Sequence, residues 1–154
     1  MNETCYFAYG SNMNPERVAS RGLTVTEIKP ARVSGLGLTF DKQSADHAGE
    51  GHAALRYDRA GAVEGVLYRL GDFADILKMD VFEATPVNYS RERIIVESRG
   101  RPAVAWTYYV NPAVTVVGGI PSRDYLAHLL AGKPYLSSEY HAWLTRHACL
   151  EATR

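Results

Sequence analysis

Little in this chain points to a charged partner, a membrane or a metal. Seventeen lysines and arginines balance seventeen aspartates and glutamates, so no net charge draws nucleic acid or an anionic bilayer. Cysteine is scarce: Cys5 and Cys149 lie near opposite ends, in neither a redox nor a metal spacing. Such thiols are read as unbridged and buried, which fits a reducing compartment. No apolar run reaches the length of a membrane span, and the first residues lack both the basic region and the long apolar segment of an export signal. The expected location is therefore cytoplasmic, where the sequons Asn2-Glu3-Thr4 and Asn88-Tyr89-Ser90 mean nothing. A serine nucleophile elbow, a phosphate-binding glycine loop and a dinucleotide fingerprint are all missing. His47 and His52 fit no common ligand set and have no evident third partner, so no metal is expected. Repeats, low-complexity tracts and linkers are absent too, and residues 1–154 read as one domain. A chain of this length buries roughly 70% of its unfolded surface, enough to enclose a site.

What is present concentrates near the start, in Tyr6-Phe7-Ala8-Tyr9-Gly10-Ser11-Asn12-Met13. The apolar run from Cys5 to Tyr9 stops at Gly10, two small polar residues follow, and Asn14-Pro15-Glu16 reads as helix cap, first-turn proline and first-turn acid. Strand, tight loop and helix start aim several backbone N–H groups at one point, where an anion or a developing oxyanion can sit. The same pattern also serves an ordinary strand-to-helix turn.

Further along, Leu36, Leu38 and Phe40 alternate with Gly37 and Thr39, which predicts a strand with one buried face. Residues 43–51 are polar with two glycines and read as a loop; 53–57 read as a short strand, 58–61 as a turn, and 63–70 as another strand. Asp72 predicts a helix cap with Asp75 three residues on, and Phe73, Ile76 and Leu77 are expected on the buried face. Pro86 keeps that helix from passing Thr85. Residues 89–97 and 103–110 predict a hairpin joined by Ser98-Arg99-Gly100-Arg101. Trp106, Tyr108 and Val110 share its core face, and Arg91, Arg93, Arg99 and Arg101 are expected on a solvated edge. Ser122 predicts a cap for a helix to Ala131, and a last helix spans about 138–148. The pattern is a mixed α+β domain.

Tyr6 to Met13 closely resembles the opening strand and loop of the gamma-glutamylcyclotransferase-like superfamily. The blocks Ala31 to Phe40, Val63 to Leu70, Met79 to Pro86, Ala105 to Tyr109 and Pro121 to Leu126 resemble that family's later segments in order. The resemblance implies a small, largely antiparallel β-barrel of mixed topology, with helices packed outside and the site at one mouth. It implies a reaction in which the α-amine of a γ-glutamyl amide attacks its own γ-carbonyl, releasing 5-oxoproline and an amine. It implies no cofactor, because the nucleophile belongs to the small-molecule substrate.

Such a reaction needs a folded substrate, since oriented intramolecular attack has an effective molarity on the order of 10⁵–10⁸ M. It needs one carboxylate to move protons, typically worth about 10²–10⁴ in rate. It also needs N–H donors on the carbonyl oxygen, each worth roughly 10²–10³. By position in the resemblance, the carboxylate is Glu83, near the end of the predicted helix and among apolar Val81, Phe82 and Ala84. On its own pattern Glu83 reads as a solvated helix-end acid, and it is the resemblance that makes it the carboxylate. The family usually has glycine after this glutamate, where this chain has Ala84; a positive φ there would strain the site. Tyr9, Gly10, Ser11 and Asn12 would grip the glutamyl group, mostly through backbone N–H. Tyr125 matches a family tyrosine whose hydroxyl reaches substrate, although in a chain with ten tyrosines it also reads as a packing aromatic. Ser44 and Ala48-Gly49-Glu50-Gly51 fall where the family has a glycine-rich substrate wall, here interrupted by Glu50. Two rivals stand beside the enzyme: a non-catalytic binding module that keeps the pocket, favoured had the glutamate been replaced, and a scaffold with a sealed mouth. The leaving group and the oligomeric state are not legible.

Overall fold

Tyr6, Phe7 and Ala8 are buried in β1 (Thr4–Ala8), a short apolar strand that ends where Gly10 turns the chain away. The computed structural model describes residues 3–151. Asn14 then caps α1 (Pro15–Ser20), its side chain accepting from the Glu16 N–H at 3.1 Å, with proline in the first turn as its fixed φ allows. Two long strands follow, β2 (Val25–Gln43) and β3 (Gly51–Leu70). After α2 (Phe73–Phe82) come β4 (Tyr89–Ser98) and β5 (Arg101–Val110), then α3 (Arg123–Leu130) and α4 (Ser138–Thr145).

The strands close into a barrel in the order β1-β3-β2-β4-β5. Every pairing is antiparallel except the closing one, where β1 meets β5 in parallel with Tyr6 opposite Trp106. This is the mixed barrel with external helices that the resemblance implies. Both faces of its wall carry buried side chains, among them Phe7, Val63, Val66, Tyr68 and Val96, all at most 1% exposed. Each such side chain contributes about 1.5–3 kcal/mol by leaving water. Two buried hydroxyls are paired with main-chain carbonyls: Thr107 donates to Phe7 at 3.0 Å and Tyr68 to Asn12 at 2.6 Å.

Three expectations are corrected. The residues Asp58 to Gly61 do not separate two strands. Register jumps from Ser34 opposite Ala62 to Leu36 opposite Tyr57, so these four residues bulge out opposite a lone Gly35 at φ 83°. The Asp58 carboxylate accepts from the Ala60 N–H at 3.1 Å, so turn chemistry is present, but the ladder resumes beyond it. On α2 the buried residues are Asp75, Ile76 and Met79, while Phe73 and Leu77 are nearly half exposed at 46% and 45%. The Asp75 carboxylate decides this rotation by accepting from the N–H groups of Thr24 at 3.1 Å and Asp72 at 3.3 Å. Finally, Arg91 is not on a solvated edge: its Nε lies 2.9 Å from Asp80 and its guanidinium 4.4 Å from the Trp106 ring. Arg93 also lies over that ring at 5.0 Å; Trp106 is only partly buried, whereas Tyr108 on the same strand is 2% exposed. Arg99 and Arg101 are exposed at the hairpin end.

Candidate active site

The loop after β1 is a single 3-10 turn, Ser11–Met13, closed by the Met13 N–H on the Gly10 carbonyl at 2.9 Å. Gly10 is required by close approach: a Cβ there would lie 2.9 Å from the Ala53 Cβ and 3.2 Å from the Tyr125 hydroxyl. Tyr125 itself is set by the Ser122 side chain, which caps α3 by accepting from the Tyr125 N–H at 3.1 Å. Burial pushes the Tyr125 phenol up to about 12, so it stays protonated at neutral pH. Its oxygen accepts from the Ala53 N–H at 2.9 Å, which leaves its own proton free to donate.

Glu83 is the C-cap of α2, its N–H bonded to the Met79 carbonyl at 3.0 Å. The next residue, Ala84, has φ 49°, the left-handed cap conformation that glycine adopts without cost. An alanine there carries roughly 1–2 kcal/mol of strain. Tyr9, Gly10, Ser11, Asn12, Glu83 and Tyr125 all line one cavity of about 310 Å³. Glu83 is partly buried and faces that cavity. Burial pushes its carboxyl up to about 7, against the opposing pull of Arg21, Arg17 and Lys42 and of a hydrogen bond from Asn12.

Two loop residues use their side chains differently from the expected grip on substrate. The Tyr9 hydroxyl donates to the Tyr108 carbonyl and is thereby occupied in the wall. The Asn12 amide is buried and donates to Glu83 Oε1 at 3.1 Å and to the Tyr6 hydroxyl at 2.9 Å. Its oxygen accepts from Arg21 Nη1 at 3.1 Å. Because a guanidinium only donates, Arg21 fixes which way the amide faces and so turns its NH₂ toward Glu83. Replacing Arg21 by methionine should release that amide and remove a charge that lowers the Glu83 pKa. The acid limb of the rate–pH profile should then move to higher pH. A fall in rate with the limb unmoved would make Arg21 merely structural.

Sequence reasoning missed Arg17, Arg21, Lys42, Asp46 and Asn88, which share the cavity wall. Arg17 and Arg21 stand one helical turn apart just after the loop, a spacing that could have been noticed; Lys42 gave no signal. The expected glycine-rich wall is only partly there. Ala45 and Asp46 line the cavity, whereas the Ser44 hydroxyl accepts from the Asp46 N–H at 3.3 Å and Glu50 is buried against His52 Nε2 at 3.3 Å. His52 stacks on Tyr125 with ring centroids 4.4 Å apart, and His47 is exposed in the loop. Cys5 and Cys149 are free and partly buried.

The fold and the cavity define a class of protein: a small closed barrel with one partly buried carboxylate beside a tight glycine loop. Within it, the family model described as Gamma-glutamyl cyclotransferase, AIG2-like matches residues 6–127, and the chain belongs to that family. Among solved structures, a gamma-glutamyl cyclotransferase is 21% identical with a TM-score of 0.85, covering 99% of this chain and 92% of that one. An uncharacterized protein from Homo sapiens is 21% identical with a TM-score of 0.86, covering 100% and 93%. YkqA from Bacillus subtilis is 27% identical with a TM-score of 0.79, covering 95% of this chain and 54% of that one. No curated protein matches the sequence. The first two likenesses carry the fold alone.

Proposed function

We propose that the protein cleaves γ-glutamyl amides by intramolecular cyclisation, with Glu83 as the proton-transfer group. The carrying observation is Glu83 in the cavity wall with its carboxyl near 7, in the same cavity as the Tyr9–Asn12 loop and Tyr125. A group titrating there takes and returns a proton readily at neutral pH.

In this mechanism the substrate's α-ammonium gives a proton to Glu83. The freed amine attacks the γ-carbonyl carbon and closes a five-membered ring. The carbonyl oxygen becomes negative and is held by loop N–H groups and the Tyr125 O–H. Glu83 hands its proton to the leaving nitrogen, and the original C–N bond breaks. The attacking nitrogen sheds two protons in all, and the released amine, as its ammonium, gains two. Glu83 ends in its starting state.

Incubation with a panel of γ-glutamyl amides should release 5-oxoproline and free amine in equal amounts, read by chromatography. Binding of panel members without any 5-oxoproline would instead favour a non-catalytic binding module.

A further inference from the structure

The cavity holds more positive charge than one glutamyl group requires. Arg17, Arg21 and Lys42 line it, and none of the three has a carboxylate within 4.0 Å among the described residues. Lys42 is the most unusual of them. It is 6% exposed, and among the described residues its ammonium has no hydrogen-bond or ion-pair partner. Its stem is packed away while its ammonium opens into the cavity, so it presents there an unpaired charge that an anion can meet.

The three cations come from two parts of the chain, α1 with its C-cap and β2. Arg17 and Arg21 follow the glycine loop, and Arg21 belongs to the Asn12–Glu83 hydrogen-bond network. The glutamyl α-carboxylate sits on the same carbon as the amine that Glu83 deprotonates, and Arg21, tied to Glu83 through Asn12, is the cation placed to meet it. Lys42 is on β2, opposite His52 of β3, next to the loop carrying Ala45 and Asp46. Glu83 is the carboxylate that acts on it most, yet it makes no ion pair with Lys42, and neither neighbour neutralises it. His52 is held below its ordinary pKa by burial and next by Lys42, and Asp46 is exposed on the rim beyond ion-pair distance.

Resting on the cyclotransferase reading, we infer that Lys42 forms a carboxylate subsite for the leaving group, so that the amine released is an amino acid or peptide rather than a simple amine or polyamine. A charge-assisted contact of this kind discriminates by about 10- to 100-fold.

The test pairs γ-glutamylglycine with γ-glutamylmethylamide, which differ by one carboxylate. The wild type should prefer the glycine compound by about 10- to 100-fold in kcat/KM. Lys42→Met should collapse that ratio, and Lys42→Arg should keep most of it. Lys42→Glu should shift preference toward γ-glutamylputrescine. Equal loss on both substrates in Lys42→Met would assign Lys42 to the glutamyl carboxylate and overturn the subsite, leaving the cyclotransferase reading intact. The absence of any wild-type preference would also overturn it. If the wild type releases 5-oxoproline from neither compound, the cyclotransferase reading falls separately. Calorimetric binding of the same pair then decides the subsite, with equal affinities overturning it. Should Lys42→Met fail to fold, the wild-type ratio and Lys42→Arg still decide.

Discussion

Glu83→Gln is expected to lower turnover by at least about 10²-fold, the low end for a lost proton-transfer group. Glutamine keeps the shape and still accepts the Asn12 N–H, but it cannot take a proton from the substrate's ammonium. The same substitution should raise stability at alkaline pH. Burial lifts the Glu83 carboxyl from 4.5 to about 7, so folding favours its protonated form. That contribution is fully present below the unfolded value of 4.5 and is lost as pH rises through about 7. Above pH 7 the wild type therefore carries a penalty of up to about 3 kcal/mol, less whatever the cavity water restores. Thermal unfolding at pH 8 should find the variant as stable as the wild type or more so. Near-full turnover, or loss of activity only through unfolding, would remove Glu83 from the mechanism.

Tyr125→Phe is expected to reduce kcat by on the order of 10²-fold, the effect of deleting one oxyanion donor. The phenol accepts from the Ala53 N–H, so its proton has no acceptor in that bond and is available to the carbonyl oxygen of a bound substrate. The ring stays, stacked on His52, so the wall should hold its shape. Ser11→Ala supplies the contrast. If the loop acts through backbone N–H groups, loss of that hydroxyl should cost only a few-fold. Steady-state kinetics on one substrate settles the comparison, and a Ser11 effect equal to that of Tyr125 would reverse the two roles.

Local order was legible where neighbouring residues decide structure. Asn14 and Pro15 start α1, Asp72 and Asp75 form a capping box, and Ser122 caps α3 as their side chains predict. The Ser98–Arg101 hairpin turns with Arg99 and Gly100 at φ 52° and 77°, as a two-residue turn demands. The candidate site was legible through resemblance more than through chemistry. Glu83 and Tyr125 have no local pattern that separates them from an ordinary helix-end acid and a packing aromatic.

By itself, then, the sequence determined the helix starts, the Ser98–Arg101 hairpin, the glycine loop after β1 and the bend after Glu83. These depend on φ preferences, caps and alternation within a few residues. Only the tertiary structure decided which face α2 buries, because Asp75 answers N–H groups on Thr24 as well as on its own helix. It also decided that Asp58 to Gly61 bulge rather than turn, since the ladder with β2 continues past them. The charge of the cavity was settled at the same level. Arg21 reaches Asn12, and Lys42 faces the site only because β2 and β3 pair in one particular register. Burial, the cause of the raised Glu83 pKa, is a property of the closed barrel and of no segment taken alone.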